Sequence, residues 1–389
     1  MKIAVIVAHH MPEIGYQDVY LPRAIARKGY KTRVFTSNKV NTSGKKKVDG
    51  YKTGLEIDSE SNLEIYRIPF SIGIRSIVIP FGLNKYIYDY QPDKIIIIGL
   101  GKLFTLPALF LKNIDDKILI VGDSKEYFSS GLTKLFRVLF FNFIKKPFYK
   151  IAVNNCRKIV LNTKETYDFY ASFLNKIQKS HFDSKYVELF LGYDDKMFYF
   201  DNKLRQKERG NLKISDDQIL IITSTRITKN KNIKKIISAI SKLIEEGYNL
   251  NYIIVGLDKN TSYGKEIIRL VKNQNNPGNF IIKNFTNKKE MQKYFCAADL
   301  GIWTKAAITI QESMGTGLPV VLKNKKIVSH LIKDGKNGYY DYGKGFIDTL
   351  KKAILWLSGK KNSIDFRKDI EQHNQKFSYS RISQTIIDL

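Results

Sequence analysis

The chain has 389 residues, of which 43% are apolar, and a formal net charge of +28. This length allows two domains with complete cores, and the apolar content excludes a disordered protein. The longest apolar runs are too short to span a bilayer, and the first ten residues are too short for a signal peptide. Cys156 and Cys296 fit neither a disulfide framework nor a metal-ligand spacing, which predicts a reducing cytosol.

The excess of 65 Lys and Arg over 37 Asp and Glu indicates an anionic partner. Nucleic acid, an acidic membrane surface and phosphorylated substrates all fit this charge, and a general richness in Lys explains part of it. The chain carries neither a zinc-finger spacing nor an aromatic RNA-binding signature. We therefore expect no nucleic acid partner.

Strands and helices alternate along the first 200 residues. Strands are predicted over 2–8, 31–37, 63–69, 93–99, 117–122 and 156–163. Helices are predicted over 18–30, 76–90, 103–113, 132–155 and 164–177, the third of them interrupted by Pro107, and a solvated loop is predicted over 38–62. This alternation predicts a parallel sheet with helices on both faces.

The stretch 132–150 combines apolar and basic side chains. Its apolar residues are Leu132, Leu135, Phe136, Leu139, Phe140, Phe143 and Ile144, and its basic residues are Lys134, Arg137, Lys145, Lys146 and Lys150. Apolar residues nearly encircle a helix there, which favours a core helix. The alternative is a basic, aromatic surface that rests on anionic lipid and meets a lipid-linked acceptor.

The polar segment 201–218 is predicted to be an interdomain linker, because the composition changes there. The alternation then restarts. Strands are predicted over 218–224, 249–256, 279–285, 299–303 and 318–322, with helices over 232–246, 263–274 and 288–298. Two doubly wound α/β domains would place a ligand cleft at the carboxyl ends of both sheets.

Segment 299–322 is predicted to fold as strand, loop, helix and strand, with Glu312 near the start of the helix. Free N–H groups and a partial positive charge at that end suit the diphosphate of a nucleotide. A carboxylate beside it could accept hydrogen bonds from ribose hydroxyls. The alternative is that Glu312 only interacts favourably with the helix dipole.

A basic loop, TSTRITKNKN (223–232), follows the first strand of the second half. At the carboxyl end of a parallel strand, Arg226 and Lys231 could clamp a diphosphate, although a solvated basic turn is the alternative. In the first half, Gly15 lies between the first strand and its helix, where a glycine lets the backbone approach a ligand closely.

Together these segments resemble the retaining glycosyltransferases of the GT-B fold, in the glycogen-synthase-like family 4, over nearly the whole chain. STRITKNKN is similar to the family's Gly-Arg-Leu…Lys-Gly loop, and NYIIVG ends in Gly256 like its Val-Gly-x-Gly strand. AADLGIWT…QESMGTGLPVV matches its acidic motif and Gly-x-Pro-Val-Val strand. The family's interdomain segment is matched by LGYDDKMF, a later turn by DGKNGYY, and the terminal helix by FSYSRISQTIIDL. Residues 14–37 look like a surface-polysaccharide branch of the family.

The chain departs from the family pattern at three places. The first of the family's two motif glutamates falls on Thr304, and only the second, Glu312, is present. The family's Phe-Gly pair falls on Ala306 and Ala307, although subgroups with Ser-Ile-Ser resemble the residues 307–309. The histidine that often follows a strand near the donor sugar is missing from 123–126.

The resemblance implies a GT-B fold of two Rossmann-like doubly wound domains that face a central cleft. These are an acceptor domain (1–200) and a nucleotide-sugar domain (201–365), with a terminal helix (366–389) that packs back on the first. The implied catalytic residues are Arg226, Lys231 and Glu312. The implied donor-binding residues are Gly15, Gly256, Thr304, Ala307, Ile308, Thr309 and Glu312, and the acceptor-side candidates are Tyr16, Asp123, Ser124, Lys125 and Glu126.

The implied reaction moves a sugar, with retention of anomeric configuration, from a UDP- or GDP-linked donor to a glycan or lipid-linked acceptor. We expect no cofactor and no metal, since two cationic side chains can neutralise the leaving diphosphate. The predicted location is the cytoplasm, with peripheral association at the inner face of the membrane.

Two rival functions share this architecture. A nucleotide-sugar 2-epimerase would need carboxylates and a histidine near the sugar, which positions 304 and 123–126 lack. It would also convert the donor to a second sugar isomer in the absence of an acceptor. A non-catalytic protein that binds sugar nucleotides or glycans is suggested by the same missing groups. A nucleic acid binder rests only on charge and would show a steep salt dependence.

Overall fold

The computed structural model describes residues 1–13, 15–39, 50–69, 71–74, 77–100, 103–122, 139, 141–323, 328–343 and 345–389. The chain forms two compact units. The first comprises Met1–Leu191 with Ile382–Leu389, and the second comprises Gly192–Arg381. Each unit has its own sheet and its own hydrophobic core.

The first unit is built on an eight-stranded sheet and a two-stranded hairpin. The strands are Lys2–Ile6 (β1), Lys31–Ser37 (β2), Gly54–Asp58 (β3), Leu63–Ile68 (β4), Ser71–Ile74 (β5), Ile77–Pro80 (β6), Lys94–Ile98 (β7), Lys117–Val121 (β8), Lys158–Leu161 (β9) and Tyr186–Glu188 (β10). The sheet order is β10-β9-β8-β7-β1-β2-β4-β3, and only β3 is antiparallel to its neighbour. The apolar strands β1, β7 and β8 lie in the middle, where helices cover both faces.

The helices of the first unit lie between its strands along the chain. They are Gln17–Arg27 (α1), Leu83–Tyr90 (α2), Lys146–Asn155 (α3), Lys164–Ala171 (α4) and Lys176–Lys185 (α5), with a 3-10 turn at Leu106–Phe110 and a π-turn at Phe141–Lys145. The prediction of alternating strands and helices is therefore confirmed for this unit.

Three predicted elements of the first unit differ from the structure. The loop predicted over 38–62 contains the edge strand β3. The helix predicted over 76–90 is a helix only from Leu83. The preceding residues form the β5–β6 hairpin, because the β-branched run IVI favours a strand and Pro80 and Gly82 end it. Pro107 limits the helix predicted over 103–113 to a 3-10 turn.

The second unit contains a six-stranded, fully parallel sheet. Its strands are Ile219–Ser224 (β11), Leu250–Val255 (β12), Phe280–Lys283 (β13), Leu300–Trp303 (β14), Val320–Lys323 (β15) and Gly338–Asp341 (β16). The order is β13-β12-β11-β14-β15-β16, the doubly wound order in which the chain starts in the middle and reverses direction once. Every residue of β11 and β12 is buried, as expected for central parallel strands.

The helices of this unit are Asn202–Leu212 (α6), Ile233–Glu245 (α7), Ser262–Lys272 (α8), Lys288–Ala297 (α9), Ile308–Gly315 (α10), Phe346–Leu357 (α11), Ile364–Asn374 (α12) and Tyr379–Asp388 (α13), the last of which runs into the first unit. The strands and helices predicted between 218 and 322 all form, with ends shifted by a few residues.

The predicted linker over 201–218 is wrong. Most of it is helix α6, which begins at the Asp201 cap. Two arginines of this helix are buried and share one buried carboxylate. Arg205 bonds Asp299 at 2.6 Å and Arg209 bonds it at 2.9 Å. Composition suggested a solvated segment because it does not reveal that charged side chains pair inside the protein.

The described part of the stretch 132–150 supports both interpretations, each for a different face. Phe141 is buried against Phe169 and Phe173, with ring centroids at 5.2 and 4.9 Å, as a core helix requires. Phe143 is exposed, whereas Lys145, predicted on the basic surface, is buried. The remaining residues of the stretch, 132–138 and 140, lie outside the described residues.

Candidate functional site

In the second sheet, the chain adds strands on one side from β11 to β13 and then on the other side from β14 to β16, so the strand order reverses between the neighbours β11 and β14. In open parallel sheets, ligands bind outside the carboxyl ends of the strands at such a reversal. Two loops leave the sheet at this point, the basic loop 225–232 after β11 and the loop 304–307 after β14. These loops contain Arg226, Lys231, Thr304 and Ala307, four of the residues predicted to act on or bind the donor.

Reciprocal hydrogen bonds join the two loops. Thr304 Oγ1 donates to the carbonyl of Lys231 at 2.8 Å. Lys231 Nζ donates to the carbonyl of Ala306, also at 2.8 Å. The hydroxyl of Thr304, a residue predicted to bind the donor, is thus used to hold the position of Lys231.

The carboxyl end of β11 also fixes the start of helix α10. The carbonyl of Ser224 accepts a hydrogen bond from the Trp303 indole at 2.8 Å and another from the hydroxyl of Thr309. Strand β11, strand β14 and the first turn of α10 therefore meet at one carbonyl oxygen. The sequence analysis did not identify the roles of Ser224 and Trp303 in joining these elements, because neither residue belongs to a recognisable chemical motif.

Arg226 is exposed, and its guanidinium makes no hydrogen bond or ion pair in the part of the chain that the structure describes. Its neighbours in the loop are fixed by the end of β12. Thr225 N donates to Val255 O at 3.2 Å, and Ile227 N donates to Gly256 O at 3.2 Å. The backbone that carries Arg226 is held on both sides, while its cationic end is available to an anion.

Gly256, predicted to bind the donor, permits this close packing of loops. Its φ is +100°, a conformation that L side chains rarely adopt, and a Cβ atom there would lie 2.2 Å from Thr225 O. A side chain at this position would push the Arg226 loop away from β12. The structure thus gives Gly256 a part in positioning the basic loop.

Helix α10 presents free N–H groups at its start. Its N-cap residue, Ala307, offers no side-chain acceptor. The N–H groups of Ile308 and Thr309 have no acceptor among the described residues. The predicted anion site at this helix N-terminus is therefore uncapped, and it lies beside the loop that carries Lys231.

Glu312 is the fifth residue of α10 and has 0% exposure. Its Oε1 accepts a hydrogen bond from Lys288 Nζ, whereas its Oε2 has no partner among the described residues. Burial raises the pKa of the carboxyl, and the charge of Lys288 partly opposes this. The dipole interpretation is wrong, because the first turn of α10 contains no acidic residue. Lys288, at the start of α9, is the partner that sequence reasoning missed.

The remaining predicted site residues belong to the first unit or lie outside the residues that the structure describes. Gly15 and Tyr16 connect β1 to α1, at the carboxyl end of a central strand. Gly15 has φ +64°, and half of the Tyr16 side chain is exposed. Asp123, Ser124, Lys125 and Glu126 lie outside the described residues.

No group of three metal-binding side chains comes together among the described residues. In the same part of the chain, no helix is both long and apolar enough to cross a membrane.

Residues 205–377, which span the second sheet and its switch point, match the family model described as glycosyl transferases group 1. Residues 205–377 form a group 1 glycosyltransferase domain, and the chain is a glycosyltransferase. Alpha-monoglucosyldiacylglycerol synthase of Acholeplasma laidlawii is 21% identical to this glycosyltransferase over 300 residues, which are 72% of this chain and 73% of that protein.

Solved structures resemble the glycosyltransferase over its whole length. Sucrose-phosphate synthase from Thermosynechococcus elongatus has a TM-score of 0.70 at 16% identity and covers 100% of this chain and 97% of its own. The Anabaena protein HepE in complex with UDP has a TM-score of 0.67 at 15% identity, with 100% and 99% covered. The predictions of a GT-B fold, of the family and of a glycosyltransferase activity are confirmed.

Proposed function

We propose that this glycosyltransferase binds a nucleoside diphosphate sugar at the switch point of the second sheet and transfers the sugar with retention of configuration. One observation carries the proposal. One edge of the sheet brings together an exposed arginine, a lysine, an uncapped helix N-terminus and a buried carboxylate, one oxygen of which has no partner in the part of the chain that the structure describes. These groups match the diphosphate and ribose of such a donor, and the UDP complex of HepE supports this choice.

The chemistry needs stabilisation of the charge that develops on the leaving diphosphate. Arg226, Lys231 and the N–H groups at the start of α10 supply it, and Glu312 accepts hydrogen bonds from the ribose. The acceptor hydroxyl oxygen forms a bond to the anomeric carbon on the face that the diphosphate leaves. The bond from that carbon to the phosphate oxygen breaks, and the departing phosphate takes the hydroxyl proton.

The activity is tested by incubating the protein with UDP- and GDP-sugars, with and without glycan and glycolipid acceptors. Products are analysed by NMR to assign the new anomeric configuration. A product of inverted configuration would contradict the retaining step. A second sugar isomer formed from donor alone would instead identify an epimerase.

The proposed contact between Glu312 and the ribose predicts that Glu312→Gln weakens the binding of nucleoside diphosphates. The change keeps the shape of the side chain and removes its charge. We expect a loss of roughly 1–3 kcal/mol, the range for a charged hydrogen-bond acceptor, measured by titration calorimetry with UDP and GDP.

Glu290→Gln is the matched control, because Glu290 also pairs with a lysine on α9 but is partly exposed. It should bind nucleotides as the unchanged protein does. An unaltered nucleotide affinity of a folded Glu312→Gln protein would show that Glu312 serves only the packing of α10 and α9.

We also propose a lipid-linked acceptor and association with an anionic membrane through the first unit. The name of the Acholeplasma laidlawii relative supports a lipid acceptor, and the net charge of +28 supports an anionic surface. In the described residues, Leu139 and Phe143 are exposed beside the half-buried Lys146 and Lys150. Apolar side chains flanked by lysines suit the boundary between lipid head groups and acyl chains.

We therefore expect Phe143→Asp to release the protein from anionic vesicles without unfolding it. Phe143 is 73% exposed, so the folded protein loses little packing, whereas insertion into lipid would bury the ring. Burial of such a side chain contributes about 2 kcal/mol, which predicts a binding loss of roughly 10-fold or more. Co-sedimentation with phosphatidylglycerol vesicles at low salt measures it.

Ile177→Asp provides the matched control, since Ile177 has the same 73% exposure in the same unit but lies on α5. That variant should sediment with vesicles as the unchanged protein does, and raised salt should weaken binding of both. The membrane proposal fails if the unchanged protein does not sediment with anionic vesicles at low salt.

A further inference from the structure

A cavity of about 710 Å³ opens between the helices α7 and α11 of the second unit. Lys234, Lys235 and Lys242 line it from α7, and Lys351 lines it from α11. Within the described residues of the lining, Asp348 is the one acidic residue. Ligand cavities have volumes of about 300–1,000 Å³, so this one is large enough for a small molecule. Its described lining shares no residue with the loops or the helix of the candidate donor site.

The amphipathic pattern of α7 places its lysines on the cavity wall. The apolar side of this helix is buried in the core of the second unit, through Ile233, Ile236, Ile237, Ile240 and Leu243. On the exposed side, Lys234, Ser238 and Lys242 follow one another at intervals of four residues, so they form a row with steps of about 6 Å. Two ammonium groups and a hydroxyl therefore offer hydrogen-bond donors along one wall of the cavity.

The positive charge of the lining is only partly neutralised by the protein. Lys234 and Lys351 each form an ion pair with a glutamate outside the described lining. Lys235 and Lys242 are exposed, and their side chains make no hydrogen bond or ion pair within the described ranges. Like charges around one cavity repel each other, and an anion bound among them offsets this repulsion. The lining therefore predicts an anionic ligand.

We propose that this cavity is a second ligand site, which binds a phosphate monoester carried by a small metabolite or by a lipid head group. Lysine ammonium groups bind phosphate as point charges, and a phosphate monoester carries close to two negative charges at neutral pH. Lys235 and Lys242 supply the charge that the protein leaves unpaired. Ala239, Phe346 and Ile347 add apolar surface, against which the carbon skeleton of the ligand packs.

The first arm of the experiment titrates the protein with glycerol 3-phosphate by calorimetry, with glycerol as the probe that lacks a phosphate. We expect the unchanged protein to bind glycerol 3-phosphate and not glycerol, and raised salt to weaken the binding. Lys235→Gln/Lys242→Gln should weaken it by about 10-fold or more, because the change removes two charged hydrogen-bond donors. This variant should stay folded, since both side chains are exposed.

Lys265→Gln/Lys272→Gln is the matched control. Both lysines are exposed on the neighbouring helix α8, and they have the same spacing in the chain as Lys235 and Lys242. Their side chains also make no hydrogen bond or ion pair in the part of the chain that the structure describes. The two double variants have the same net charge, so a general attraction of phosphate to a basic protein would weaken equally in both. The control should bind as the unchanged protein does.

The second arm distinguishes the two sources of the phosphate. It measures co-sedimentation of the same variants with phosphatidylcholine vesicles that contain phosphatidic acid. A loss specific to Lys235→Gln/Lys242→Gln in the titration identifies a soluble phosphorylated ligand. A specific loss with vesicles alone identifies a lipid head group, and either result supports the site.

Two results would overturn the proposal. The first is that Lys235→Gln/Lys242→Gln matches the unchanged protein in both arms, or loses no more binding than the control. The second is that Arg226→Ala abolishes the binding of glycerol 3-phosphate while the lysine variant retains it, because the phosphate would then occupy the donor site. Neither arm uses a sugar donor, so the result does not depend on the proposed transfer reaction.

Discussion

Replacing Arg226 or Lys231 with alanine should lower the rate of sugar transfer by about 100-fold or more, the scale for loss of one preorganised charge partner. Both cations lie in the loop after β11, at the switch point of the sheet. Arg226→Ala should leave the fold intact because the side chain is exposed. Lys231→Ala removes one hydrogen bond to Ala306 O, which costs about 1 kcal/mol of stability.

Lys229→Ala is the control for this prediction. Lys229 is exposed in the same loop, and its side chain makes no hydrogen bond or ion pair within the described ranges. Initial rates at saturating donor should fall for Arg226→Ala and Lys231→Ala but stay near the original value for Lys229→Ala. Full activity in both of the first two variants would exclude the diphosphate clamp.

Replacing Lys288 with methionine should destabilise the protein strongly at neutral pH. The change leaves the Glu312 carboxylate buried without its cation. Breaking a buried pair from one side costs 3–5 kcal/mol, and we expect about 3 kcal/mol because Lys288 is 21% exposed. Urea unfolding measures the loss. The double variant Lys288→Met/Glu312→Gln should recover most of it, since no buried charge remains.

The loss of stability in Lys288→Met should increase as the pH rises. Burial already raises the pKa of Glu312, and removing Lys288 raises it further. A carboxyl with a folded pKa above its unfolded value contributes stability at low pH that is lost as the pH rises through the folded pKa. The deficit of Lys288→Met should therefore be larger at pH 8 than at pH 5.

Lys293→Met tests whether this behaviour is specific to the buried pair. Lys293 pairs with Glu290 on the same helix, but both side chains are more than one-third exposed. Its change should leave the stability nearly unaltered at either pH, because solvent screens an exposed ion pair. An equal, pH-independent loss in Lys288→Met and Lys293→Met would mean that Lys288 does not hold a buried charge.

The second sheet could be predicted almost completely from the sequence. Five of its six strands lie in apolar runs that end in turns, and most of them are followed by a helix, so local periodicity identifies both. The sixth strand, β16, falls in a segment that the sequence analysis assigned to a turn. The basic loop and the helix at 308 follow from the same pattern, because residues after parallel strands share one edge of the sheet.

The first unit was harder to predict because its strands and helices are less regular. The hairpin before α2 has a run of β-branched residues that also fits one face of a helix, and the two interpretations differ only in the backbone conformation. The buried Arg205 and Arg209 of α6 misled the analysis for another reason. Their charge suggests solvent, and only the tertiary structure brings Asp299 to them.

The sequence by itself determined the doubly wound architecture, the family resemblance and the residue types available for a diphosphate site. Only the tertiary structure decided how these residues are used. It buried Glu312 against Lys288, engaged Thr304 with the backbone of Lys231, and left Arg226 exposed. Motif spacing identifies residues that share a loop or a helix. The partner of each side chain is set by contacts between segments far apart in the chain, which local patterns do not encode.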